Sequence, residues 1–136
     1  MSGSMPYAMR TTGRSNVPQV KTAAIVEDDE DMIYVYSKIL RNLGYDSIFV
    51  ARNGEEMIRW IAGAPSPWIV IMDYKLPSIN GLDVAKEVLR HSPGTKIIMA
   101  TAYDEISGKA ASLGLSFMQK PFSMKTLAKE METIEP

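Results

Sequence analysis

Four apolar segments in this chain each end in a residue that can do chemistry. TAAIV (22–26) runs into Glu27, Asp28, Asp29, Glu30 and Asp31. WIVIM (68–72) runs into Asp73, KIIMA (96–100) into Thr101, and LSFMQ (115–119) into Lys120 and then Pro121. Taken singly, each is ordinary: acids favour helix N-termini, and an Asp, a Thr or a Lys-Pro commonly closes a strand or shapes a turn. Their joint order carries more. Two carboxylates about 4 Å apart repel by roughly 4 kcal/mol at an effective dielectric of about 20, so three gathered together call for a cation. A hard divalent ion, Mg2+ or Mn2+, suits oxygen ligands, retained water and a phosphate oxygen. With Lys120 as a fixed positive charge and Thr101 as a hydroxyl donor, the set fits a site that stabilises a transferring phosphoryl group. A carboxylate would be the in-line nucleophile.

Such a site needs a scaffold that brings four segment ends to one edge. The apolar runs TAAIV, YDSIFV (45–50), WIVIM, KIIMA and LSFMQ read as five strands. WIVIM is continuously apolar, as expected of a central strand covered on both faces. Between the runs lie stretches with helical spacing. Met32, Val35, Ile39 and Leu43 form one stripe ending at Gly44, and Asn53 caps a short helix carrying Met57, Trp60 and Ile61, stopped by Pro65 and Pro67. Leu82, Ala85, Val88 and Leu89 form a third stripe. Residues 104–113 form a weaker helix interrupted by Gly108, and Met124, Leu127, Ala128 and Met131 form a fifth. LPSING (76–81) is turn chemistry. Strands alternating with helices imply an α/β fold, a parallel sheet covered on both faces. Its ligand chemistry then lies outside the carboxyl ends of the strands, where the acidic run falls.

On these residues the chain resembles the response-regulator receiver domains of two-component signalling. The matching pieces are IVEDDE, IVIMDYKLPSINGL, IMATAY and FMQKPF, in order, over residues 20 to 134. The resemblance implies a flavodoxin-like, doubly wound (βα)5 fold with strand order 2-1-3-4-5. It implies Asp73 as phosphoacceptor, phosphorylated in a Mg2+-dependent step by a sensor histidine kinase or a phosphotransfer protein. Glu27, Asp28, Asp73 and the backbone carbonyl of Lys75 would hold the metal, leaving Asp29 and Glu30 as solvated helix-start residues. Thr101 and Lys120 would contact the phosphoryl group, Phe117 would be the aromatic switch, and the Lys120–Pro121 bond would be cis. The output would be a change in protein–protein contacts, with an unknown output protein or a phosphorylation-dependent homodimer.

The chain departs from that pattern in two places. Between Thr101 and Lys120 it is about three residues shorter than the resemblance leads one to expect, so the segment 104–114 is expected to be short or mobile. Lys75 and Tyr103 occupy the positions that flank the path of hydrolytic water; both are bulky, and slow self-dephosphorylation is expected. Two other functions compete. An aspartate-nucleophile phosphatase of the haloacid-dehalogenase type needs a second acid two residues after the nucleophile, where this chain has Lys75. A flavodoxin-like nucleotide binder needs a glycine- or hydroxyl-rich phosphate loop after the first strand, where this chain has EDDED.

Composition bounds the rest. With 136 residues the chain fits one domain, divided here into a flexible tail over residues 1–20 and a receiver unit over 21–134. There is no cysteine, so disulfides and thiolate metal sites are excluded. The single histidine, His91, reads as a helix-end residue. A net charge of −1 gives no strong field for nucleic acid or anionic membrane. No apolar run nears the roughly 20 residues of a membrane span, no secretory signal is evident, and a cytoplasmic setting is expected.

Overall fold

The computed structural model describes residues 21–63 and 66–134. The expectations for a flexible tail over 1–20 and for Pro65 as a helix stop lie outside the described residues. Five strands, β1 (Thr22–Val26), β2 (Ser47–Ala51), β3 (Ile69–Asp73), β4 (Lys96–Thr101) and β5 (Ser116–Gln119), alternate with α1 (Glu30–Asn42), α2 (Gly54–Gly63), α3 (Gly81–His91), α4 (Ser107–Ser112) and α5 (Met124–Ile134). The strands form one sheet in the order β2-β1-β3-β4-β5, with every neighbouring pair parallel. This is the flavodoxin-like order expected.

The period-two alternation of the strands divides the core. Ala24 and Val26 of β1 and Val70 and Met72 of β3 pack with Met57, Ile61, Val84, Ala85, Val88 and Ala110, the inner faces of α2, α3 and α4. Ala23, Ile25, Ile69 and Ile71 point the other way, against Ile33, Tyr36, Ile39 and Leu40 of α1 and Leu127 and Met131 of α5. A central strand apolar at every position follows from having helices on both sides.

Several details differ from the sequence reading. β2 begins at Ser47 rather than at Tyr45, which is buried but outside the ladder, its ring set edge-on to Trp68 with centroids 6.5 Å apart. β3 and β5 each start one residue later than expected, and β3 runs on to include Asp73. Apolarity reports burial and does not fix the end of the regular ladder; Trp68, just outside β3, still donates to the Thr22 carbonyl at 2.8 Å. The buried stripe of α1 is Ile33, Tyr36, Ile39 and Leu40, with Met32, Val35 and Leu43 only partly buried on its flanks. In α3, Val84 is fully buried while Leu89 is only partly so. Met124, placed in the α5 stripe, is exposed at the first position of the helix.

The segment after β4 is short, as its length requires. A 3-10 turn over Asp104–Ile106 leads into the six-residue α4. This helix has no side-chain N-cap. Gly108 faces open space, and the Ser112 hydroxyl donates back to the Gly108 carbonyl at 2.9 Å.

Candidate functional site

β1 delivers its acids to the sheet edge in a fixed order. The Glu27 N–H donates to the Ala51 carbonyl at 2.9 Å, continuing the ladder one step past the strand. Its side chain is thereby turned inward, 2% exposed. Asp29 then stops the extended run: its Oδ1 accepts from the N–H groups of Asp31 at 2.9 Å and Met32 at 3.3 Å, so it is the N-cap of α1. Glu30 is exposed and pairs with Arg52 on the β2–α2 turn. Glu27 and Asp28 face the site, and Asp29 and Glu30 start a helix.

Asp73 arrives on the adjacent strand, with the backbone N–H groups of Lys75 and Tyr74 directed at its carboxylate. Carboxylate oxygens of Glu27, Asp28 and Asp73 lie within 4.8 Å of one another. The Lys120 ammonium stands 3.5 Å from Glu27 Oε1 and 3.7 Å from Asp73 Oδ1, bridging the buried glutamate and the partly buried aspartate. Lys120 is held by its own N–H, which donates to the Thr101 carbonyl at 2.7 Å, and it precedes a cis bond to Pro121. Thr101 is buried, and its Oγ1 accepts from the Tyr103 N–H at 3.2 Å.

Burial raises the Glu27 carboxyl above its ordinary value, opposed by Lys120 and reinforced by Asp73. Burial likewise raises Asp73, again opposed by Lys120. Glu27 Oε1 is buried without a hydrogen-bond donor among the described residues. A buried anionic oxygen in that position fits the coordination sphere of a hard cation, as does the all-oxygen donor set around it.

A pH dependence follows. Because both carboxyls have raised folded-state values, the native protein binds protons more avidly than the unfolded chain, and their contribution to stability falls as pH rises through those values. It is fully present only below the ordinary carboxyl values of 4.5 and 3.8. Metal-free protein is therefore expected to gain stability, relative to a Glu27→Gln, Asp73→Asn variant, as pH falls from 7.5 toward the ordinary carboxyl range, read as the change in melting temperature. A wild-type difference no larger than the variant's would contradict this.

The structure also joins Lys75 to Tyr103. The Lys75 ammonium donates to Tyr103 Oη at 3.0 Å, which raises the lysine above its ordinary value. The Tyr103 ring in turn lies edge-on to Tyr74, with centroids 6.1 Å apart. Phe117 is partly buried beside the α2–α3–α4 core and paired with Met99 across the sheet. Two contributors went unnoticed in the sequence. Gly81 opens α3 so close to β3 that a Cβ there would overlap the Asp73 carbonyl oxygen; the only sequence signal was a glycine closing LPSING. Tyr36 places a buried hydroxyl without a partner among the described residues, where burial, reinforced by Glu27 and Asp73, pushes its ionisation up.

A protein-family model described as the response regulator receiver domain matches residues 23–132. The chemotaxis protein CheY of Thermotoga maritima is 29% identical over 117 residues, covering 84% of this chain and 97% of that protein. The alkaline phosphatase synthesis transcriptional regulatory protein PhoP of Bacillus subtilis is 30% identical over 84% of this chain but only 48% of its own length. The chain thus spans about half the length of several curated relatives it matches. Among solved structures, a putative response regulator from Chloroflexus aurantiacus superposes with a TM-score of 0.71 at 31% identity, covering 85% of this chain and 98% of that one. A CheY-like receiver domain protein from Methanospirillum hungatei gives 0.76 at 25% identity, covering 85% and 93%.

Proposed function

The chain belongs to the response regulator receiver domain family, a phosphoaccepting signalling module of two-component systems rather than an enzyme family, and from that premise we propose that Asp73 is the phosphoacceptor. Receiver domains bind Mg2+ and imply a cognate histidine kinase; this chain's donor would be such a kinase or a phosphotransfer protein. The observation that carries the assignment is the convergence of Glu27, Asp28 and Asp73 within 4.8 Å, with Lys120 beside two of them.

The roles divide by position. An Asp73 carboxylate oxygen attacks phosphorus as the bond from phosphorus to the donor breaks, leaving an acyl phosphate on the side chain. Lys120 neutralises charge on the phosphoryl oxygens, and the buried Thr101 hydroxyl donates to one of them. Glu27, Asp28, Asp73 and the Lys75 carbonyl would hold the metal, which supplies positive charge to the same oxygens when bound. Movement of Thr101 toward the phosphoryl group, with Phe117 following, would shift the population that meets an output protein or a second copy of the chain. The functional unit would be residues 21–134, acting in the cytoplasm through protein partners rather than nucleic acid. No helix among the described residues is long and apolar enough to cross a membrane.

Intact mass after incubation with acetyl phosphate tests the acceptor. One phosphoryl adduct is expected in the presence of Mg2+, none without it, and none in Asp73→Asn. An adduct that persists in the variant would move the acceptor elsewhere. The lifetime of the adduct is a second readout. With the bulky Lys75 and Tyr103 side chains beside Asp73, decay after donor removal should be slow, and faster in Lys75→Asn, Tyr103→Ala. Equal or slower decay in that double variant would remove the lifetime role.

A further inference from the structure

We propose that Lys75 is a second phosphoryl-binding cation, held on Tyr103 in the unmodified protein and transferred to the phosphoryl group once Asp73 carries one. This rests on the reading of Asp73 as the acceptor and adds a residue to its anion-binding set. The geometry is specific. Lys75 lies two residues after Asp73, in the loop whose Lys75 and Tyr74 N–H groups already face that carboxylate. Its ammonium is not loose in solvent but donates to Tyr103 Oη at 3.0 Å and lies 5.5 Å from the centre of the same ring. Tyr103 is itself positioned twice, by its N–H on Thr101 Oγ1 at 3.2 Å and by the edge-on Tyr74 ring.

The exchange follows from charge. In the unmodified site three carboxylates are met by Lys120 and by a divalent ion when one is held there. An acyl phosphate carries about one negative charge more than the carboxylate it replaces, together with strong acceptor oxygens. A phenol oxygen is a neutral acceptor, and a charge-assisted bond to an anionic oxygen is roughly twice as strong. The lysine stem is flexible and exposed, so the ammonium changes partner by rotating about its own torsions, without moving backbone or proton. Thr101 can keep the Tyr103 N–H on its lone pair while its O–H turns to the phosphoryl group. The Tyr103 hydroxyl is then left without its donor, and the exchange exposes a second aromatic, besides Phe117, to the state of Asp73.

A latch that merely braces two loops and a cation in transit predict different things. Beryllofluoride, formed with Mg2+ as a phosphoryl stand-in, is titrated into the full chain and followed by fluorine NMR of the bound species. Lys75→Met is expected to weaken binding by about tenfold to a hundredfold, the range for loss of one hydrogen bond to a charged group, and Lys75→Arg to restore most of it. Tyr103→Phe removes only the competing acceptor and should tighten binding by about twofold to fivefold. Opposite signs for the lysine and tyrosine variants support the transfer. Changes of the same sign, or a Lys75→Met variant that binds like wild type, overturn it while leaving Asp73 in place. Wild-type binding that survives Asp73→Asn overturns both readings.

Discussion

Replacing Lys120 with methionine is expected to slow accumulation of the phosphoryl adduct by about 10²- to 10³-fold, the usual effect of deleting one preorganised donor at a site of developing charge. Lys120 is a bridging cation: its ammonium stands 3.5 Å from Glu27 and 3.7 Å from Asp73, and both of those acids are raised by burial and lowered by this lysine. Without it the two carboxylates lose the charge that offsets their burial, so a stability cost accompanies the kinetic one. Breaking a buried pair by removing one partner costs about 3 kcal/mol. The two effects separate with metal and pH. The metal-free variant should lose most stability near neutral pH and recover part of it on acidification, as Glu27 and Asp73 take up protons and no longer need a counter-charge. Adding Mg2+ should stabilise the variant more than the wild type, because the ion then supplies the only compensating charge at the cup. The rate defect should persist at saturating Mg2+. Full recovery of the rate with Mg2+ would show that Lys120 serves only to hold the acids together.

Gly81→Ala is the second change with a large expected effect, although its side chain has no part in the chemistry. A Cβ at this position would overlap the Asp73 carbonyl oxygen and come within 2.8 Å of Tyr74 Cα and 2.9 Å of Met99 Sδ. The first two are backbone atoms of the acceptor's own strand end and cannot rotate away. Relief therefore requires moving α3 or the Asp73–Tyr74 peptide. The Gly81 N–H bond to the Tyr74 carbonyl, 2.7 Å long, ties the same two segments together and would be stretched by that movement. Overpacking of this kind costs about 1–3 kcal/mol. Displacing a nucleophile by about 1 Å costs on the order of 10² in rate, so adduct formation should slow by ten- to a hundredfold even where the variant remains folded. Thermal denaturation reads the first effect and intact mass the second. A variant with wild-type melting temperature and wild-type rate would mean that α3 yields without disturbing Asp73.

The architecture was legible because its signals are local. Five apolar runs separated by stretches with helical spacing admit few arrangements, and each run carried its functional residue directly at its end. The pattern thus assigns Glu27, Asp73, Thr101 and Lys120 to one edge of a parallel sheet. The split of the acidic run rests on the family resemblance, which leaves Asp29 and Glu30 at a helix start; that Asp29 caps α1 with its side chain is a feature of the folded chain. Of the expected α1 stripe Ile39 is buried, while Met32, Val35 and Leu43 give way to Ile33, Tyr36 and Leu40, because helical spacing in an apolar-rich segment fits two adjacent faces and only packing against the sheet selects between them.

The contacts that set the chemistry belong to another level. Lys120 meets Glu27 only because the sheet places β5 and β1 on either side of β3 and β4, with each register set by ladder pairing rather than by any local pattern. Lys75 meets Tyr103 across 28 residues because Asp73 pairs with Ala100, which aligns the two loops that follow. Gly81 is required because a helix start passes against the acceptor's carbonyl. Residue type and periodicity determine which elements form and what each carries to its end. Distances between those ends depend on register and helix packing, which many residues far apart in the chain set together, and so they emerge only in the folded molecule.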